Sequence, residues 1–96
     1  MKLEVLTITH GIIKYIVVED TQTTPYIEFV SISVEEGHRK QGIGTKLIEE
    51  LKKIAASKNI HEITVKAGTI GEDILGKFLL SNGFKPAKKT IYNLYV

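Results

Sequence analysis

Val34-Glu35-Glu36-Gly37-His38-Arg39-Lys40-Gln41-Gly42-Ile43-Gly44-Thr45 is the stretch that decides how this chain folds. An apolar, β-branched run ends at Val34 and a short charged loop follows. Two glycines then open a segment in which Ile43, Leu47, Leu51, Ile54 and Ala55 recur at helical spacing. The spacing predicts a helix over Gly42–Ser57, with Glu49 placed to pair with Lys53 one turn on, and a break at Lys58–Asn59. A strand, a loop and a helix in that order bring the first N–H groups of the helix, which have no internal partners, to the loop. Glycine lets the backbone come close to a ligand, and the helix dipole favours negative charge there. Arg39 and Lys40 add positive charge. A diphosphate suits several converging N–H donors better than a single carboxylate does. The stretch is not a Walker loop, because no Gly-Lys-Ser/Thr follows at the required spacing. Nor is it a dinucleotide fingerprint, because Leu47 stands where the third glycine of GxGxxG belongs. A loop whose glycines merely start an ordinary amphipathic helix is the alternative reading.

Working outward, Tyr26–Val34 is apolar at most positions and is expected to be a strand covered on both faces. Leu3–Thr9 and Ile12–Glu19 read as two further strands, the second rich in β-branched residues, joined at His10–Gly11. Asp20–Pro25 is a polar connection ending in proline. Downstream, Ile63–Ala67 reads as a strand. Glu72–Ser81 reads as a short helix with Glu72 and Asp73 in its first turn, and Asn82–Gly83 as its stop. Lys85, Lys88 and Lys89 read as a solvated basic loop, and Thr90–Val96 as a last strand. The order β-β-β-α-β-α-β is an α/β fold with a mixed α+β sheet, a single domain over residues 1–96. Tyr26–Val34 and Ile63–Ala67 should lie parallel, joined by a right-handed crossover.

Composition narrows the function classes. Ninety-six residues make one small domain, and 43% hydrophobic content supplies a core. Thirteen basic against eleven acidic residues give a net charge of +2, too even for a nucleic-acid footprint. There is no cysteine, so disulfides and thiolate chemistry are excluded. No apolar run approaches the ~18 residues of a membrane span. Glu4, Thr7 and Thr9 interrupt any leader-like apolar region, so a cytoplasmic location is the expectation. His10, His38 and His61 show no metal-ligand spacing, no metal is expected, and His38 reads as part of the loop lining.

Arg39-Lys40-Gln41-Gly42-Ile43-Gly44 resembles the R/Q-x-x-G-x-G/A signature of the GNAT acyltransferase superfamily. The resemblance runs from about Tyr26 to Phe84. It takes in the strand before the loop, the helix after it, the next strand, and Asn82-Gly83-Phe84, which looks like the "GF" closing the family's last helix. It implies that the backbone of Arg39, Lys40, Gln41, Gly42, Ile43, Gly44 and Thr45 cradles the pyrophosphate of acetyl-CoA, bound as co-substrate. It implies also that the two parallel strands splay and that pantetheine lies between them. Backbone groups near Ile32 and Val34 would then bond it in the manner of an added strand. The implied activity is N-acetyl transfer by direct attack of an amine, on a small molecule or a protein. The alternative is a non-catalytic acyl-CoA-binding or protein-interaction module on the same fold.

Direct attack requires a neutral amine. At pH 7 only roughly one lysine-like amine in a few thousand is neutral, given a pKa of ~10.4. A general base typically contributes ~10²–10⁴-fold. Glu28 is the candidate. It lies six residues before Val34, on the same face by period two, and matches the strand position of the catalytic glutamate in the histone-acetyltransferase branch. The sequence also departs from the family. Leu79 stands where many members carry a tyrosine as general acid, and Glu72 where an asparagine is frequent, so either the thiolate leaves unaided or another donor serves, with Tyr92 and Tyr95 as the candidates. Only His10–Gly11 separates the first two strands, where the family usually places two helices. The acceptor side should therefore be open, or completed by another subunit, as in a homodimer.

Overall fold

The computed structural model describes residues 2–19, 22, 24–38, 42–66, 72–88 and 91–96, without the side chains of 72–75, 87 and 88. The elements follow as β1 (Leu3–Ile8), β2 (Gly11–Val18), β3 (Tyr26–Val34), α1 (Ile43–Ser57), β4 (Glu62–Lys66), α2 (Glu72–Ser81), β5 (Lys85–Lys88) and β6 (Ile91–Tyr95). They build a mixed α+β fold with one six-stranded sheet in the order β1-β2-β3-β4-β6-β5. The β3–β4 pair is parallel, as the strand–helix–strand reading requires. The other described pairs are antiparallel.

β5 is an addition to the expected order. The basic stretch that reads as a loop forms a short strand paired to β6. Its lysines and Pro86 are residues that sheets tolerate at an edge, where one side of the strand needs no partner.

Alternation along β2 sets the layers. Gly11, Ile13 and Tyr15 are buried while Ile12 and Lys14 are exposed. Register carries that inner face across the sheet to Phe29 and Ile32 on β3, then to Ile63 and Val65 on β4 and Leu94 on β6. These residues meet Leu47, Ile48, Leu51 and Ala55 of α1, Leu79 of α2, and Phe84 in a single apolar cluster. The opposite face carries Glu28, Ser31 and Ser33, with Leu3, Val5 and Ile12 exposed. β3 is therefore covered on one face, not both.

Both helices end the same way. The Ile60 N–H reaches Ala55 O (2.9 Å) and the Asn59 N–H reaches Ala56 O (3.1 Å), with Asn59 at φ 57. The Phe84 N–H reaches Leu79 O (3.0 Å) and the Gly83 N–H reaches Leu80 O (3.2 Å), with Gly83 at φ 90. Each is a Schellman turn, whose left-handed residue favours Gly or Asn and whose next residue packs back on the helix. Ile60 and Phe84 are that apolar residue, 2% and 1% exposed. On α1, Lys52 pairs with Glu49 and Lys53 with Glu50, each at 3.2 Å, in place of the expected Glu49–Lys53 pair. Among the described residues no helix is long and apolar enough to cross a membrane.

Burial, with the Glu4 carboxylate on the strand directly opposite, raises the Tyr15 phenol above its ordinary value of 10.0. The folded state thus holds this proton more tightly than the unfolded chain. The stability it confers is complete below the unfolded phenol value and is lost as pH rises past ~10 toward the folded one. Urea midpoints should therefore fall more steeply above pH 10 in the native chain than in Tyr15→Phe. Identical alkaline slopes would contradict this.

Candidate functional site

Three features converge where β3 runs out. The first is a bulge. Lys14 faces Ser31 and Tyr15 faces Phe29, so Val30 is the extra residue on β3. A bulge bends its strand and shifts the side-chain alternation by one. Among the described residues, β3 pairs with β4 at Ile27↔Ile63, Glu28↔Thr64 and Phe29↔Val65, and its stretch Val30–Val34 runs on beyond the last of these pairs.

The second is the direction of the backbone groups past that point. The Glu35 N–H donates to His10 O at 2.9 Å, so Glu35 and His10 form a hydrogen-bonded antiparallel pair. Alternation then turns the backbone groups of Ser33 and Ser31 toward β2, and those of Ile32 and Val34 away from it. Ile32 and Val34 are the two positions the sequence assigns to pantetheine.

The third is the start of α1. Gly42 is its N-cap, in the left-handed region at φ 77, and no side chain caps the helix. The first bond of the helix ladder runs from the Lys46 N–H to Gly42 O at 3.0 Å, so the amides of Ile43, Gly44 and Thr45 lie ahead of it. There is no acid in the first turn. Among the described residues, the N-terminus of this 15-residue helix has neither a side-chain cap nor an acid in its first turn. Among the described residues, a Cβ at Gly42 would meet nothing within 4 Å. Arg39, Lys40 and Gln41 lie outside the described residues.

The second glycine has another task. A Cβ on Gly44 would sit 2.8 Å from Cε1 and 3.1 Å from Cζ of Phe78 on α2. Gly44 lets the two helices touch. Gly11 does the same between sheet and helix, where a Cβ would lie 2.8 Å from Cγ2 of Ile43 and 3.0 Å from Cδ1 of Leu47. These contacts fix the helix start against the end of β3. Nothing in the spacing of Gly11 marks it for that role.

Glu28 is paired with Thr64 of β4, one residue before the last described β3–β4 pair. Its carboxylate is mostly covered and lies 3.4 Å from the Lys66 ammonium. The bulge overturns the period-two argument, because Glu28 shares a row with Ile16 on the outer face whereas Val34 shares one with Gly11 on the inner face. Leu79 is fully buried in the core. Tyr95 is 71% exposed. Tyr92 packs against the core, with its hydroxyl 3.1 Å from where a Cβ on Gly76 would stand.

One cluster was not legible in the spacing. His10, at the turn that closes β1–β2, comes together with Glu35 and His38 of the loop after β3, Glu35 lying 25 residues further along the chain. Their assembly depends on the Gly11↔Val34 register, which spacing does not report. A hollow of about 610 Å³ between His10 and the Ile43–Lys46 turn of α1 adjoins them. A second hollow, at Tyr15 and Lys58, lies by the other end of α1 and takes no part in the loop.

The family model for the acetyltransferase (GNAT) domain matches residues 3–86. The chain belongs to the GNAT acetyltransferase family. No curated protein matches it. Among solved structures, a GNAT-family acetyltransferase from Staphylococcus aureus Mu50 is 23% identical (TM-score 0.72), over 90% of this chain and 59% of that one. The PaiA N-acetyltransferase from Thermoplasma acidophilum, in complex with coenzyme A, is 20% identical (TM-score 0.74), over 90% and 53%. An aminoglycoside acetyltransferase from an uncultured soil metagenomic sample is 26% identical (TM-score 0.68), over 82% and 51%. The chain therefore spans between half and three-fifths of these neighbours. Between β1 and β2, where helices were expected to be missing, it has only the Thr9–His10 turn.

Proposed function

We propose that the domain is an acetyl-CoA-dependent N-acetyltransferase, moving the acetyl group to an amine of a small molecule or protein by direct attack. The observation that carries this reading is the uncapped, acid-free start of α1, which follows a strand that runs on past its last described pair with its parallel neighbour. The amides of Ile43, Gly44 and Thr45, with the backbone of Gly42, take the pyrophosphate, and Arg39, Lys40 and Gln41 complete the loop. Pantetheine follows the Ile32–Val34 edge as a surrogate strand, which puts the thioester at the bulge. There the polar groups of Val30, displaced from the β2 ladder, are placed to steady the carbonyl as it takes up negative charge. The amine attacks, the C–S bond breaks, and coenzyme A leaves as its thiolate. Glu28 takes the amine proton, directly or through water. The neighbours in complex with coenzyme A or in the aminoglycoside acetyltransferase class support the co-substrate and the reaction.

Release of free thiol from acetyl-CoA against a panel of amines, polyamines and peptides tests the activity. Glu28→Gln should leave coenzyme A affinity intact, lower turnover at least tenfold, and flatten its pH dependence. Unchanged turnover would remove Glu28 from the mechanism.

Two observations favour a second reading, a non-catalytic acyl-CoA-binding module. The residue at the family's acid position is a buried leucine, Leu79. The base candidate is already ion-paired to Lys66. That reading expects coenzyme A binding with no thiol release from any amine.

A further inference from the structure

His10 occupies the left-handed region (φ 66) at the tip of the β1–β2 turn. Its backbone carbonyl accepts the Glu35 N–H at 2.9 Å, and the His38 N–H returns to Glu35 O at 3.0 Å. These two bonds fold the start of the loop over the turn and bring three side chains together. His10 Nδ1 lies 2.5 Å from Glu35 Oε2. The His38 ring stacks on the His10 ring at 3.5 Å between centroids, with the planes 8° apart. One ligand atom from each of the three lies within 4.8 Å of the other two. His10 and Glu35 remain open to water, with side chains 38% and 63% exposed.

We propose that His10, Glu35 and His38 form a binding site for a divalent transition-metal ion, with Zn²⁺ the best match. Two imidazoles and one carboxylate are a borderline donor set that suits Zn²⁺, Co²⁺ or Ni²⁺. Ca²⁺ and Mg²⁺ want several oxygens and find one carboxylate here. The spacing also fits. Two nitrogens bound at ~2.05 Å with a tetrahedral angle stand roughly 3.3 Å apart, close to the separation of the stacked rings. Parallel rings do not aim their lone pairs at one point, so uptake requires a rotation of the rings. It also requires Glu35 to give up its contact with His10. The exposure of both side chains allows these movements, and the backbone bonds keep the three α-carbons in place meanwhile. Water fills the remaining coordination position, on the side of the hollow against α1. The proposal does not depend on acetyl transfer.

Titration calorimetry of ZnCl₂ into the untagged chain, in a non-chelating buffer, tests it. A 1:1 site of micromolar affinity is expected, and MgCl₂ should give no heat. His10→Asn keeps a residue that tolerates the left-handed region. With His38→Gln it should weaken Zn²⁺ binding at least tenfold for each change, while metal-free melting temperatures stay the same. His61→Gln, at a histidine outside the cluster, should change nothing. With Co²⁺ in place of Zn²⁺, visible d–d absorption should report imidazole ligation and vanish in the double variant His10→Asn/His38→Gln. The proposal is overturned if native binding is no tighter than millimolar, or if His61→Gln weakens it as much as the cluster variants do.

Discussion

Thr45→Glu should make the protein more stable and a worse binder of coenzyme A. α1 begins with no acid in its first turn and no side-chain cap. A carboxylate at position 45, which is exposed, supplies the missing countercharge. A charge so placed is worth ~0.3–1 kcal/mol, or roughly 1–8 °C in melting temperature for a domain of this size. The same carboxylate stands where a diphosphate would bind. Two unit charges ~4 Å apart repel by about 4 kcal/mol at the effective dielectric of a protein surface. Even a third of that lowers affinity tenfold, so at least a tenfold loss is expected. An ordinary helix N-terminus gives only the first effect, and opposite signs in melting and binding distinguish the two. If both rise, or if affinity is unmoved, the bare helix start has no part in binding.

Gly44→Ala should destabilise the native chain but not a chain in which Phe78 has been shortened. Replacing a helical glycine by alanine ordinarily gains up to ~1 kcal/mol. Here the new methyl would stand 2.8 Å from the Phe78 ring, and overpacking typically costs ~1–3 kcal/mol. The cost exceeds the gain, so melting should fall by several degrees. In a Phe78→Leu background the ring is gone, the propensity gain remains, and the same substitution should be neutral or stabilising. That sign reversal in a double-mutant cycle shows coupling between the two positions. If the glycine instead exists to admit a ligand, Gly44→Ala lowers coenzyme A affinity equally in both backgrounds. Because its Cβ direction faces Phe78 rather than solvent, affinity should change little beyond what destabilisation explains.

These two positions show how far the sequence could be read. Periodicity finds α1 within a residue, because Leu47, Leu51 and Ala55 must all face one core. The dense β-branched runs find β2, β3 and β4 for a similar reason. The strand–loop–helix order is also visible, since Gly42 needs φ > 0 and no side chain competes for the helix start. A single extra residue in a strand leaves no trace in composition. The bulge at Val30 is therefore invisible to a period-two count, which places Glu28 on the face of Val34. Gly44 and Gly42 look alike in sequence, yet one packs against Phe78 and the other opens to solvent. Lys85–Lys88 is charged and contains proline, which reads as a loop but is equally suited to an edge strand. His10, Glu35 and His38 meet only through the register of β2 on β3, a long-range property that no local pattern carries.

The most direct test is a ¹H–¹⁵N titration of the native chain with coenzyme A. The account predicts that the amides of Ile43, Gly44 and Thr45 shift together with one dissociation constant below a millimolar. Ile32 should follow with the same constant, and inorganic pyrophosphate should reproduce the first three shifts but not that of Ile32. If those amides stay in place at millimolar coenzyme A, or if the shifts gather elsewhere on the fold, the start of α1 does not hold the diphosphate.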